Sequence, residues 1–241
     1  MTGVTGGLGP ALVEAFLALG AEVLAAGRRR TALDDLRAGV AHHERLHTAE
    51  CDLTDPAGTE ALFDAWSRKG DPDVVVHAAG AWEDGALEAQ SDDAVAQIVS
   101  DNLTSAALVL RAALRRMRPR GRGSVVVIAA SRAEEPDANE ALFGAAKAGV
   151  VHLVEATARQ SGGVRINAVL PGVLDTAQNR EKLPREINAR PRCGSPATRA
   201  AASTAREYAS PEPRESLVGG DGRWTPDEMV GMGPRPTWRT G

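Results

Sequence analysis

A run of glycines, one arginine and a lysine four residues after a phenylalanine are the features of this chain whose types and spacing carry chemistry. The glycines lie in Thr2-Gly3-Val4-Thr5-Gly6-Gly7-Leu8-Gly9. A backbone that turns tightly and approaches a nucleotide diphosphate has no room for Cβ atoms, and the helix start behind it offers free N–H groups and a positive dipole end. That helix follows at once. Pro10 suits a first helical position, Leu12, Val13, Phe16, Leu17 and Leu19 repeat at helical spacing, and Gly20 is placed to end the helix. Arg28, in Gly27-Arg28-Arg29-Arg30, follows a short apolar run. Phe143 and Lys147 share one helix face, so an ammonium stands beside an aromatic ring that has no dissociable proton.

These residues need a scaffold. Up to about residue 175 the chain alternates short β-rich runs, at 22–26, 46–51, 73–77, 124–129 and 164–169, with helical stretches at 31–43, 56–69, 91–118 and 138–160. Such alternation predicts an α/β fold, a Rossmann-type doubly wound parallel sheet with helices on both faces. At 241 residues and 43% hydrophobic, the chain is long enough to bury one such core. Its formal net charge of -4 argues against an obligate binder of nucleic acid or anionic membranes. Cys51 and Cys193 are too few for a disulfide framework, so a reducing cytoplasm is the expected setting. No basic-then-apolar leader opens the sequence and Glu14 interrupts the first apolar helix, which predicts neither a signal peptide nor a membrane span.

With these elements in place, residues 2 to 176 resemble the short-chain dehydrogenase/reductase family. Thr2-Gly3, Gly7 and Gly9 match its TGxxxGxG cofactor turn, in which Thr5 and Leu8 also lie. Cys51-Asp52-Leu53 is similar to the pair that meets adenine, and His77-Ala78-Ala79-Gly80 to the NNAG strand end that faces the ribose. Asp101-Asn102-Leu103 resembles the segment with the family's structural and catalytic asparagine. The run from Ile166 through Pro171-Gly172 to Thr176 resembles the segment that lies against the nicotinamide. The resemblance implies a dinucleotide cofactor, a small-molecule substrate and hydride transfer. Arg28 occupies the place where an acidic side chain would bind a ribose 2′-hydroxyl. A guanidinium there suits a 2′-phosphate, so NADP(H) is favoured over NAD(H), with a solvated arginine cluster as the rival reading.

The active centre departs from the family pattern. The resemblance implies a tyrosine acid four residues before Lys147, and Phe143 stands in its place. The sole tyrosine, Tyr208, lies in the tail. The family's serine falls on Ala130, and a shortened loop would bring Ser131 into register instead. Two functions remain open: a reductase of carbonyls, or of activated alkenes and quinonoid rings that need little protonation, and a non-catalytic NADPH-binding pseudoenzyme or regulatory module.

The ends also depart. Only Met1 precedes the glycine turn where the family has an apolar strand, so the first strand is expected to be truncated. The last 66 residues hold eight of the fourteen prolines and ten arginines but no phenylalanine. We therefore divide the chain into a cofactor-binding domain, 1–176, and a divergent, poorly ordered segment, 177–241. A start upstream of Met1 and a shifted reading frame beyond about Asn179 would explain both ends. Among the remaining candidates, the five histidines lack metal-ligand spacing and read as surface or strand-end residues. The basic run Arg115–Arg122 ends a helix, where cations oppose the negative dipole end. Ala107, Leu108, Leu110, Ala113 and Leu114 fit either the dimer contact of a homo-oligomer or the core of one subunit.

Overall fold

The computed structural model describes residues 1–160, 162–176, 179–180 and 207–208, the last pair by backbone alone. In chain order the elements are α1 (Gly9–Ala18), β1 (Val23–Gly27), α2 (Arg30–Gly39), β2 (Leu46–Glu50), α3 (Pro56–Ser67), β3 (Val74–His77), α4 (Asp92–Val99), α5 (Ser105–Met117), β4 (Gly123–Ile128), α6 (Ala141–Ala158), β5 (Val164–Val169) and β6 (Glu207–Tyr208). Strands β3, β4 and β5 pair in parallel, as do β1 and β2. The two groups meet through one residue, because Thr2 bridges Ala26 on one side and His77 on the other. Its N–H donates to the Val76 carbonyl at 2.9 Å, and the Met1 carbonyl accepts from Ala26 N–H at 2.9 Å. The strand order is therefore β2-β1-Thr2-β3-β4-β5-β6, a doubly wound α/β sheet whose direction of growth reverses at Thr2. Ligands in open sheets of this kind bind beyond the carboxyl ends of the strands at that switch point.

At the centre of the sheet, where a truncated first strand was expected, the single residue Thr2 bridges its neighbours on both sides. Behind Met1 a cavity of about 390 Å³ separates β1 from β3, lined by Phe16, Leu62, Phe63 and Trp66. The five expected strands form within a residue of their expected bounds, and β4, buried at five of its six positions, reads as a continuous apolar run for that reason. Helix α2 ends at Gly39 rather than at residue 43, since Val40 is extended and His42 adopts φ 59°. Helix α6 starts at Ala141, not 138. The long helix expected over 91–118 carries a π-helical turn at Ser100–Thr104 between α4 and α5.

Within one subunit α5 buries Leu108, Leu110, Ala113 and Leu114, so core packing accounts for most of its apolar stripe. Over its 18 residues, α6 is long and apolar enough to cross a membrane by length and composition. Its packing on β5 and α4 gives that apolarity a use in the core. Beyond Asp175 no strand was expected, yet Glu207 and Tyr208 pair antiparallel with Val169 and Ala168. Edge pairing through the backbone needs no apolar pattern. The rest of the expected tail lies outside the described residues.

Candidate functional site

The glycine turn leads from Thr2 into α1. Gly3 takes φ +70°, and a Cβ there would stand 2.3 Å from the Ala78 carbonyl carbon and the Ala79 nitrogen, so only glycine lets the turn lie against the end of β3. Two tight turns follow, with Gly6 N–H donating to the Gly3 carbonyl and Gly9 N–H to the Gly6 carbonyl, each at 3.1 Å. Leu8 occupies the N-cap of α1 and Pro10 its first turn, and no side chain caps the helix. Gly9 N–H is turned back to Gly6 and Pro10 has none, so the uncapped end leaves the Ala11 N–H, with the positive end of the helix dipole, available to an anion. A Cβ on Gly7 would meet Thr176 Cγ2 at 2.4 Å. That close approach brings the segment after β5 across the turn.

Beyond the ends of β1 and β3 opens a cavity of about 490 Å³. Gly3, Thr5, Arg28, Asp52, Leu53 and the Ala78–Gly80 backbone all line it, so eight of the expected cofactor residues share one space. Asp52 accepts from Thr54 N–H at 2.9 Å and from its hydroxyl at 2.8 Å. Those bonds, with the Arg28 charge as a lesser cause, hold its carboxyl below the usual range. Arg28 Nη1 donates to both oxygens of Asp101, at 3.2 and 3.4 Å. Asp101 also lines this cavity, as does Ser105.

At the other end Lys147 is buried and donates from Nζ to the Ile128 carbonyl at 3.1 Å. Burial lowers its pKa to about 8. Asn102 donates through Nδ2 to the carbonyls of Ala81 and Ile98, at 2.8 and 2.9 Å. Its buried Oδ1 has no hydrogen-bond partner among the described residues. A Cβ built on Gly80 would stand 2.6 Å from that oxygen and 3.2 Å from Lys147 Nζ. The missing side chain thus leaves a free acceptor and an ammonium facing one small space, a niche for a hydroxyl or a water. Lys147 Nζ also lies 5.7 Å from the centroid of the half-buried Phe143 ring. Ser131 is half-buried and its N–H donates to the Pro171 carbonyl at 2.9 Å, which ties the Ser131 turn to the Pro171-Gly172 segment. Ala130, one residue earlier, is extended and buried.

Three participants escaped sequence reasoning. Asp101 pairs with an arginine 73 positions away, which only the fold reveals. His77 does end a strand, as expected, but is fully buried between Thr2 Oγ1, 2.8 Å from Nδ1, and Ser105 Oγ, 3.3 Å from Nε2. Burial first, then the nearby Lys147 charge, lowers its pKa to about 3, so it is neutral. No local pattern marks Ser105 as its partner.

Residues 1–187 match the family profile described as short chain dehydrogenase. The chain belongs to that family. It is 27% identical over 183 residues to a 3-oxoacyl-[acyl-carrier-protein] reductase, FabG, of Salmonella typhimurium, covering 75% of this chain and 74% of the relative. It is 33% identical over 180 residues to a cis-4-hydroxycyclohexanecarboxylate dehydrogenase of Sinomonas cyclohexanicum, covering 73% and 72%. Among solved structures, a short chain dehydrogenase from Mycobacterium smegmatis superposes with a TM-score of 0.67 at 30% identity, covering 71% of this chain and 74% of that one. Family membership carries with it a NAD(P)-type cofactor and oxidoreductase chemistry on small molecules.

Proposed function

We infer that this chain is an NADP(H)-dependent oxidoreductase that transfers hydride to a carbonyl or to an activated alkene or quinonoid acceptor. One observation carries the cofactor choice: Arg28 lines the cavity beyond β1, where a ribose 2′-substituent falls in this fold class. The residues present fit such a cofactor. The uncapped start of α1 suits its diphosphate, and the orphaned Asn102 Oδ1 beside Lys147 Nζ suits ribose hydroxyls or a water between them. When bound, a reduced nicotinamide supplies the hydride. Lys147 and Asn102 would then hold the ribose end, Pro171, Gly172 and Thr176 would back the nicotinamide, and Ser131 would face the reacting oxygen. The names of the relatives, an oxoacyl reductase and a hydroxy acid dehydrogenase, support oxo/hydroxy interconversion.

Phe143 supplies no proton. Loss of a positioned general acid removes about 10² to 10⁴ in rate, while orientation of donor and acceptor survives. This asymmetry favours acceptors whose reduced form is a stable anion, and the same residue supports the second reading, a non-catalytic NADPH-binding module. Fluorescence titration with NADPH and NADH tests the cofactor assignment. Wild type is expected to prefer NADPH and Arg28→Ala to lose that preference; equal affinities in both proteins would refute it.

A further inference from the structure

Arg28 is a long side chain with 59% of its surface exposed, whereas the Asp101 side chain that holds it is only 10% exposed. A free arginine loses much rotamer freedom when it closes on an anion, so one that is already tethered binds with less loss. Only Nη1 is used by Asp101, and no other hydrogen bond engages the guanidinium among the described residues. Its remaining N–H groups are thus left for a second, bidentate partner.

The anchor is itself held from below. Asp101 belongs to the π-helical turn Ser100–Thr104, a local distortion that recurs at functional sites. The Ser105 hydroxyl donates to the Asp101 carbonyl at 2.7 Å. Ser105 Oγ is then left to accept from His77 Nε2–H, and His77 Nδ1 accepts from the Thr2 hydroxyl. This is the one assignment in which every member of the chain both fits a neutral imidazole and finds a partner. A hydrogen-bonded line therefore runs from the centre of the sheet, through His77 and Ser105, to the backbone of Asp101, and from its carboxylate to Arg28.

We propose that Asp101 is a positioning residue for cofactor choice, holding Arg28 by one arm so that its free edge receives the 2′-phosphate of NADP(H). The proposal rests on the NADP(H) reading above. The opposing effect is repulsion between the Asp101 carboxylate and the phosphate. It acts across the guanidinium that separates the two charges, toward an open cavity, and so is the weaker term.

The test is a titration of wild type, Asp101→Asn and Arg28→Met with NADPH and NADH, followed by nucleotide fluorescence. Asp101→Asn is expected to weaken NADPH about tenfold, a loss comparable to releasing one long side chain, and to leave NADH within about twofold. In the Arg28→Met background the same substitution is expected to have no further effect on NADPH. A ratio of NADPH to NADH affinity that Asp101→Asn leaves unchanged or raises, while Arg28→Met abolishes the preference, overturns the proposal and leaves the cofactor reading standing. Equal binding of both nucleotides by wild type, with Arg28→Met inert, removes the cofactor reading and the proposal with it. Should Asp101→Asn not fold, Ser105→Ala cuts the tie to the Asp101 carbonyl and keeps both charges; it is expected to lower the same ratio, and an unchanged ratio overturns the proposal.

Discussion

Phe143→Tyr places a phenol on the helix face that Lys147 shares, and its consequence follows from the geometry. The Phe143 ring centroid lies 5.7 Å from Lys147 Nζ, and that ammonium, with a pKa near 8, is protonated at pH 7. A phenolate about 4 Å from such a charge, at an effective dielectric constant of about 20, is favoured by about 4 kcal/mol. That equals about three pH units and moves the phenol from about 10 toward about 7. An acid so poised contributes about 10² to 10⁴ in rate. The assay is NADPH oxidation with a panel of ketones, activated alkenes and quinones between pH 5 and 9. Ketone reduction is expected to rise by about 10² or more with a new limb near pH 7, while quinone reduction changes little. A variant that folds and binds NADPH as wild type does, yet gains nothing on any ketone, would falsify the placement of Phe143 at the proton donor's position.

Two further substitutions test the buried titratable groups. Because Lys147 titrates near 8 when folded and near 10.5 when unfolded, its burial costs about 3 kcal/mol below pH 8, and this cost is relieved as pH rises from 8 to 10.5. Lys147→Met is therefore expected to unfold at a higher temperature than wild type at pH 7, to lose that advantage by about pH 10.5, and to lose turnover; a lower midpoint at pH 7 contradicts the assignment. His77 falls from 6.5 to about 3 on folding. The unfolded chain binds its proton first, so stability held above pH 6.5 declines as pH falls through 6.5 toward 3, by up to about 5 kcal/mol. Urea unfolding of wild type and His77→Asn between pH 7 and 4 checks this. The Asn variant should show the flatter profile, and parallel profiles would exclude a buried neutral imidazole.

The parts of the fold legible in the sequence were those in which a local pattern and the tertiary role coincide. Val125, Val126 and Val127 lie in a strand covered on both faces, so their apolar run needs no context to be read. Gly3 and Gly9 mark close approaches of backbone to backbone that only glycine permits, and so announce the turn. The π turn before α5 was not legible, because Ser100–Thr104 contains neither Gly nor Pro to mark a break in the helix. Arg28 was readable as a candidate phosphate ligand, but its pairing with Asp101 was not, since nothing near Asp101 in sequence distinguishes it from a solvated acid. The niche between Asn102 and Lys147 arises from Gly80, a third segment, and exists only once β3, the π turn and α6 converge.

The most direct test of the central claim, that the cavity beyond β1 and β3 is an NADP(H) site, is the thermal unfolding midpoint of the protein alone, with NADPH and with NADH. Binding to the folded state alone must raise it, by about 2.7 kcal/mol of stability at a ligand concentration one hundred times Kd. The account predicts one cooperative transition raised by NADPH and raised less by NADH. A transition indifferent to both nucleotides, or raised more by NADH, would contradict it.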